Sequence, residues 1–160
     1  MIYIGIDPGL SGAVAIIDGT DVKLFDTPTA ETGKGSKRDY LIANMSDILR
    51  TTQPFYMFAV LEAVHSMPKQ GVASSFSFGR GLGIWEGILS AHSIPYAKVA
   101  PQTWKKAMLG DMPRDNKDSS RIAATRLFPN ASDMLARKKD DGRAEALLMA
   151  EYGKRLRGKA

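Results

Sequence analysis

The chain has 160 residues, enough for one domain to bury about two-thirds of its unfolded surface without disulfides or a structural metal. It contains no cysteine, which excludes thiolate zinc sites and thiol catalysis and agrees with a reducing compartment. Lysine and arginine total 22 against 17 aspartates and glutamates, a formal charge of +5 that suits a polyanionic partner.

The opening run Met1-Ile-Tyr-Ile-Gly-Ile-Asp7 is apolar but has no basic flank and soon meets an acid. It therefore reads as a strand, not a leader or a membrane span, and a cytoplasmic protein is expected. Residues 2–7, 12–17 and 21–25 are β-rich runs separated by turn residues, with Asp18-Gly19 between the second and third, and so predict an antiparallel meander. A polar stretch over 27–37 follows. Leu41, Ile42, Met45, Ile48 and Leu49 then recur at helical spacing until Pro54. Residues 55–61 are continuously apolar, which suits a central strand buried on both faces.

Small and apolar residues over 72–92 predict a long helix, interrupted early by Gly79-Arg80-Gly81-Leu82-Gly83. Gly79, Gly83 and Gly87 lie four apart on one face, which suits close helix packing, including packing across a dimer interface. A strand over 95–99 comes next. Pro101 suits the first turn of a short helix through Met108, and helices over 117–127 and 141–156 complete the chain. The expected fold class is α/β in a single domain over 1–160. Its mixed five-stranded sheet combines the three-strand antiparallel meander with two parallel strands, flanked by helices.

Four acids stand out. Asp7 closes the first strand, where alternation places Tyr3, Gly5 and Asp7 on one face and Ile2, Ile4 and Ile6 on the other. Asp-Pro-Gly is also ordinary turn chemistry. Glu62 ends the apolar strand, where a solvated strand end is the competing explanation. Asp141 and Glu145 lie four apart on one face of the last helix. Asp140 or Asp141 could simply cap that helix, whereas Ala144, Ala146 and Leu147 around Glu145 point to a packed face. Two strand-terminal carboxylates and a helical pair suit two hard divalent cations about 4 Å apart, which could activate water and neutralise a leaving oxyanion in phosphodiester cleavage. His65 and His92 fit no metal-ligand spacing, and Thr32-Gly33-Lys34-Gly35-Ser36 lacks the order of a phosphate-binding loop, so no nucleotide cofactor is expected.

With those residues in place, the sequence resembles the RuvC-type Holliday-junction resolvases, and most closely their bacteriophage members. The matching text is Ile4-Gly5-Ile6-Asp7-Pro8-Gly9 with Gly12; Glu62-Ala63-Val64-His65-Ser66-Met67-Pro68-Lys69-Gln70-Gly71; Phe76-Ser77-Phe78-Gly79; Pro101-Gln102-Thr103-Trp104-Lys105-Lys106; and Asp140-Asp141-Gly142-Arg143-Ala144-Glu145-Ala146-Leu147-Leu148. The resemblance implies an RNase H-like fold, a homodimer acting on four-way DNA junctions, and symmetric nicking that depends on Mg²⁺ or Mn²⁺, two ions per active site. It makes Asp7, Glu62, Asp141 and Glu145 the metal ligands.

One departure concerns the last motif, where bacterial members carry a ligand three residues before a final aspartate. Here that earlier position is Gly142 and the final acid is Glu145, so the third ligand is Asp141 or Asp140. Asp141 is preferred because it shares a face with Glu145. Lys105 and Lys117 match basic positions near the scissile phosphate, where they would stabilise transition-state charge. The segment after Glu62 reaches the junction centre in the family, so His65 or Phe76 is a candidate wedge between bases. Packing of Phe76 and Phe78 within the fold is the alternative. Lys69, Gln70, Arg80, Lys106 and Arg114 complete the expected DNA contacts. A nuclease for forks or flaps, and a non-catalytic branched-DNA-binding module, are the competing functions. The second sits poorly with acids gathered against phosphates.

Overall fold

The computed structural model describes residues 1–33, 37–50, 56–63 and 71–158. The meander forms as expected from β1 (Ile2–Ile6), β2 (Ala13–Asp18) and β3 (Asp21–Asp26), with Gly19 supplying the positive φ of 59° that the tight β2–β3 turn requires. β6 (Met57–Glu62) pairs in parallel with β1, and β7 (Tyr96–Val99) pairs in parallel with β6, giving the order β3-β2-β1-β6-β7. Every residue of β6 is buried, as its unbroken apolar run implies.

Alternation along the strands divides the core into two layers. Ile4, Ile6, Val14 and Ile16 pack with Met45, Leu49, Trp85 and Leu89 from helices α1 (Ile42–Arg50) and α2 (Val72–Ala91). On the other face Ala13, Ala15, Ile17 and Val60 pack with Trp104 of α3 (Pro101–Leu109), Ala124 of α4 (Lys117–Leu127) and Ala146, Leu147 and Ala150 of α5 (Asp141–Arg157). Two 3-10 segments, Pro129–Leu135 and Lys138–Asp140, lead into α5. Among the described residues no helix is long and apolar enough to cross a membrane.

α5 reaches the sheet through its smallest residues. A methyl group added to Gly5 would collide with the Ala146 carbonyl and the Ala150 amide, so backbone meets backbone where the helix crosses β1. One at Gly153 would come within 2.9 Å of Val60 on β6. Gly142, Ala146, Ala150 and Gly153 recur at helical spacing and form the contacting stripe.

Two features differ from the sequence expectation. The polar stretch after β3 and the residues just beyond it form a ribbon of β4 (Thr29–Glu31) and β5 (Arg38–Tyr40), paired Thr29↔Tyr40 and Glu31↔Arg38 and tied by an Arg38 Nε hydrogen bond of 2.9 Å to Thr29 Oγ1. Helix α2 runs unbroken through its glycine cluster. Buried Trp85, Ile88 and Leu89 anchor it to the sheet, and this packing outweighs the glycines' low helix propensity.

Candidate active site

Asp7 lies just beyond β1, where its amide donates to the Ala13 carbonyl at 3.0 Å. The chain then folds back tightly. Gly12 N–H donates to the Gly9 carbonyl at 2.9 Å, and a side chain at Gly12 would strike the Asp7 carbonyl. Gly9 N–H donates to Asp7 Oδ1 at 3.2 Å, which orients the carboxylate. The parallel register Ile6↔Leu61 brings Glu62, the next residue of β6, alongside Asp7. Glu62 is only 8% exposed, so it is not a solvated strand end, and Trp104 Nε1 donates to its Oε1 at 3.0 Å.

The first turn of α5 lies over the same point. A methyl group on Gly142 would stand 3.4 Å from Asp7 Oδ2 and 2.8 Å from the Ser11 carbonyl, so only glycine admits this approach. Glu145 Oε1 meets Lys105 Nζ at 2.8 Å and accepts from Ser120 Oγ at 3.3 Å. Glu62, Glu145 and Asp141 all act electrostatically on Asp7, so four acids from three distant segments converge. Above them opens a pocket of about 530 Å³ lined by Asp7, Asp141, Glu145, Lys105, Arg114 and Phe78, among others, with Glu62 outside the lining.

Asp140 and Asp141 have separate fates. Asp140 is 2% exposed and pairs with Arg137 at 2.7 Å, accepting also from the Arg137 amide at 2.9 Å. That hydrogen-bonded guanidinium holds its carboxyl below the usual range. Asp141 faces the pocket. Among the described residues no three acidic, histidine or cysteine side chains are placed to hold a metal ion as they stand. The donor set nevertheless has the chemistry of a hard-cation site: carboxylate oxygens gathered around a buried Asp7, with the Lys105 ammonium on Glu145.

Of the expected DNA-contacting residues, Arg114 lines the pocket beside Lys105, and Lys106 is exposed on α3. Phe76 is 72% exposed on α2. Arg80 pairs with Asp39 and lies 5.7 Å from the centroid of the Tyr40 ring. Lys117 opens α4. His65, Lys69 and Gln70 lie outside the described residues. The lining also includes Tyr40, Ser77, Phe78 and Asp115, which the sequence reading did not place at the acids. Tyr40 carries no local sequence signal, because it arrives through the ribbon from 32 residues beyond Pro8.

No protein-family model matches the chain. A stretch of 100 residues, 62% of the chain, is 29% identical to the chloroplastic Holliday junction resolvase MOC1 of Chlamydomonas reinhardtii, and it spans 11% of that relative's length. In three dimensions the chain is similar to Thermus thermophilus RuvC in complex with a Holliday junction substrate. The TM-score is 0.67 at 15% identity, covering 98% of this chain and 96% of that one. A second Thermus thermophilus RuvC structure gives a TM-score of 0.56 at 18% identity, covering 94% and 90%. The fold is thus that of RuvC: an RNase H-like mixed sheet with helices on its faces.

The acids have a measurable consequence without any ligand. Burial, then the charge of Glu62, push the Asp7 carboxyl up from 3.8 to about 7, against the opposing hydrogen bond from Gly9. Burial also raises Glu62, opposed by Trp104. A carboxyl raised in the folded state binds its proton more tightly there than in the unfolded chain. Its contribution is therefore present at low pH and lost as pH rises from about 4 to about 7. The metal-free protein should melt at a lower temperature at pH 8 than at pH 5. Asp7→Asn should flatten that fall and stabilise the protein at pH 8 by on the order of 2–4 kcal/mol. Thermal unfolding across pH checks this, and an unchanged slope in Asp7→Asn would show that Asp7 bears no such strain.

Proposed function

We propose that this chain is a divalent-metal-dependent, structure-selective DNA endonuclease that nicks four-way junctions, a Holliday-junction resolvase of the RuvC type and of its bacteriophage branch. The observation that carries this reading is the convergence of Asp7, Glu62, Asp141 and Glu145 at one end of the central strands, beneath a pocket edged by Lys105 and Arg114. A module that only bound DNA would gain nothing from burying like charges where phosphates approach. The names of the similar proteins, a Holliday junction resolvase and a RuvC bound to such a junction, support the same substrate.

In this reading the four carboxylates Asp7, Glu62, Asp141 and Glu145 would hold two Mg²⁺ or Mn²⁺ ions, whose chemistry would be activation of water and neutralisation of charge at the leaving oxygen. Gly9 N–H and the Trp104 indole orient Asp7 and Glu62. Lys105, which pairs with Glu145 at 2.8 Å, would with Lys117 stabilise the charge that develops on the phosphate. Arg114, Lys106 and Arg80 hold the backbone, and the segment with His65, Lys69, Gln70 and Phe76 meets the junction centre. Symmetric cleavage calls for a homodimer acting in the cytoplasm of a host cell. Its natural interface is the α2 face with Gly79, Gly83 and Gly87, where nothing among the described residues lies within 4 Å of an added methyl group.

The test compares a mobile four-way junction with linear duplex, fork and flap substrates, with and without Mg²⁺. Junction nicking is expected, abolished by chelator and by Asp7→Asn; equal cutting of linear duplex refutes the resolvase reading, and preference for forks or flaps redirects it. Lys105→Ala should lower the single-turnover rate at saturation by about 10²-fold, with junction affinity much less affected. If only affinity falls, Lys105 has no part in the chemistry. Light scattering should give twice the chain mass, and Gly83→Arg, whose Cβ would meet nothing within 4 Å among the described residues, should give the single mass. A wild-type monomer at micromolar concentration rules out the proposed dimer.

A further inference from the structure

We propose that Tyr40 is a positioning residue for Asp7, its phenol fixing the peptide unit whose other end orients the Asp7 carboxylate. The inference rests on the nuclease reading for its consequence, but not for its geometry.

Tyr40 ends the ribbon and packs into the core layer beneath α1 and α2, 6% exposed. Its hydroxyl faces two carbonyls and shares its one proton between them, Pro8 O at 3.2 Å and Ser77 O of α2 at 3.4 Å. Pro8 C=O and Gly9 N–H belong to one planar trans peptide, so they point in opposite directions. Holding the oxygen at Tyr40 therefore aims the Gly9 N–H at Asp7 Oδ1, 3.2 Å away. A carbonyl that accepts a hydrogen bond also polarises its own N–H, so the two bonds strengthen each other.

The surroundings leave this phenol little freedom. A methyl group on Gly81 would collide with both Tyr40 Oη and Pro8 O, so α2 presses its bare backbone against the joint. Arg80 lies over the Tyr40 ring, 5.7 Å from its centroid, while pairing with Asp39 of the same ribbon. Apolar packing alone would be met by phenylalanine. The hydroxyl adds a connection between β5, the turn bearing Asp7, and the helix carrying Phe78 into the pocket.

Tyr40→Phe keeps the ring and removes the connection. Four measurements on the full chain decide the matter: Mn²⁺ binding by calorimetry, the Gly9 amide proton resonance, four-way-junction affinity in Ca²⁺, and single-turnover cleavage at saturating protein. The Gly9 resonance should move upfield and Mn²⁺ affinity and cleavage rate should each fall about tenfold, with junction affinity held within about twofold. An unmoved Gly9 resonance with unchanged Mn²⁺ affinity overturns the proposal. So does a parallel loss of thermal stability, junction affinity and rate, which is the signature of general packing damage. If the wild-type chain leaves the junction uncut, the nuclease reading fails by itself, while the Gly9 resonance and Mn²⁺ affinity still judge Tyr40.

Discussion

The contact of α5 with β1 is the constraint from which the rest follows. Gly5 lets the Ala146 carbonyl and the Ala150 amide sit directly on the strand, and Gly142 lets the helix start over the Asp7 turn. A bulkier stripe would hold the helix farther off, since helices meet neighbours at distances set by the side chains at the contact. Asp141 and Glu145 are each one residue before a stripe residue, Gly142 and Ala146, and so flank the contact beside Asp7. Close packing of small residues thus does what the carboxylates would resist on their own. Apolar burial along α5 opposes the repulsion, and the burial of Asp7, reinforced by its acidic neighbours, raises its proton affinity.

α3 completes the arrangement with two consecutive residues. Trp104 is fully buried and its indole reaches Glu62, while Lys105, partly exposed, reaches Glu145. Neighbours on a helix project about 100° apart, so the first turn of α3 must sit between the two acids. Pro101 at the start of that helix fixes where the turn begins. Lys105 also lies 5.2 Å from the centroid of the Trp104 ring, so its ammonium rests between an aromatic face and a carboxylate. The two donors differ in kind. An indole N–H cannot leave its buried place, whereas a lysine on a flexible stem can exchange one anion for another.

The strands, the sheet's mixed character and the positions of the helices were legible because each carries its own period or its own stop signal. Asp7 and Glu62 stood out because an acid closing an apolar run breaks a pattern. The ribbon was not legible: three-residue strands in a polar stretch have no period to read, and their pairing spans a loop. Tyr40 was hidden with it, since its hydrogen bond to Pro8 depends on where the ribbon meets the turn after β1. The glycines of α2 misled for a related reason. Propensity is local, whereas Trp85, Ile88 and Leu89 hold the helix together from outside it.

The neighbouring aspartates of the last motif show how the register of the acids is enforced. Asp140 accepts from the Arg137 amide while the Arg137 guanidinium grips its carboxylate, closing a reciprocal cap around the short 3-10 segment. That closure ends one helical winding and starts α5 at Asp141. A start one residue later would rotate the stripe by about 100°, turning Gly142 and Ala146 off the strand and Glu145 away from Lys105. Asp140 therefore governs the site without entering it. Asp140, held by its own hydrogen bonds, sets the frame in which Asp141 and Glu145 face the pocket.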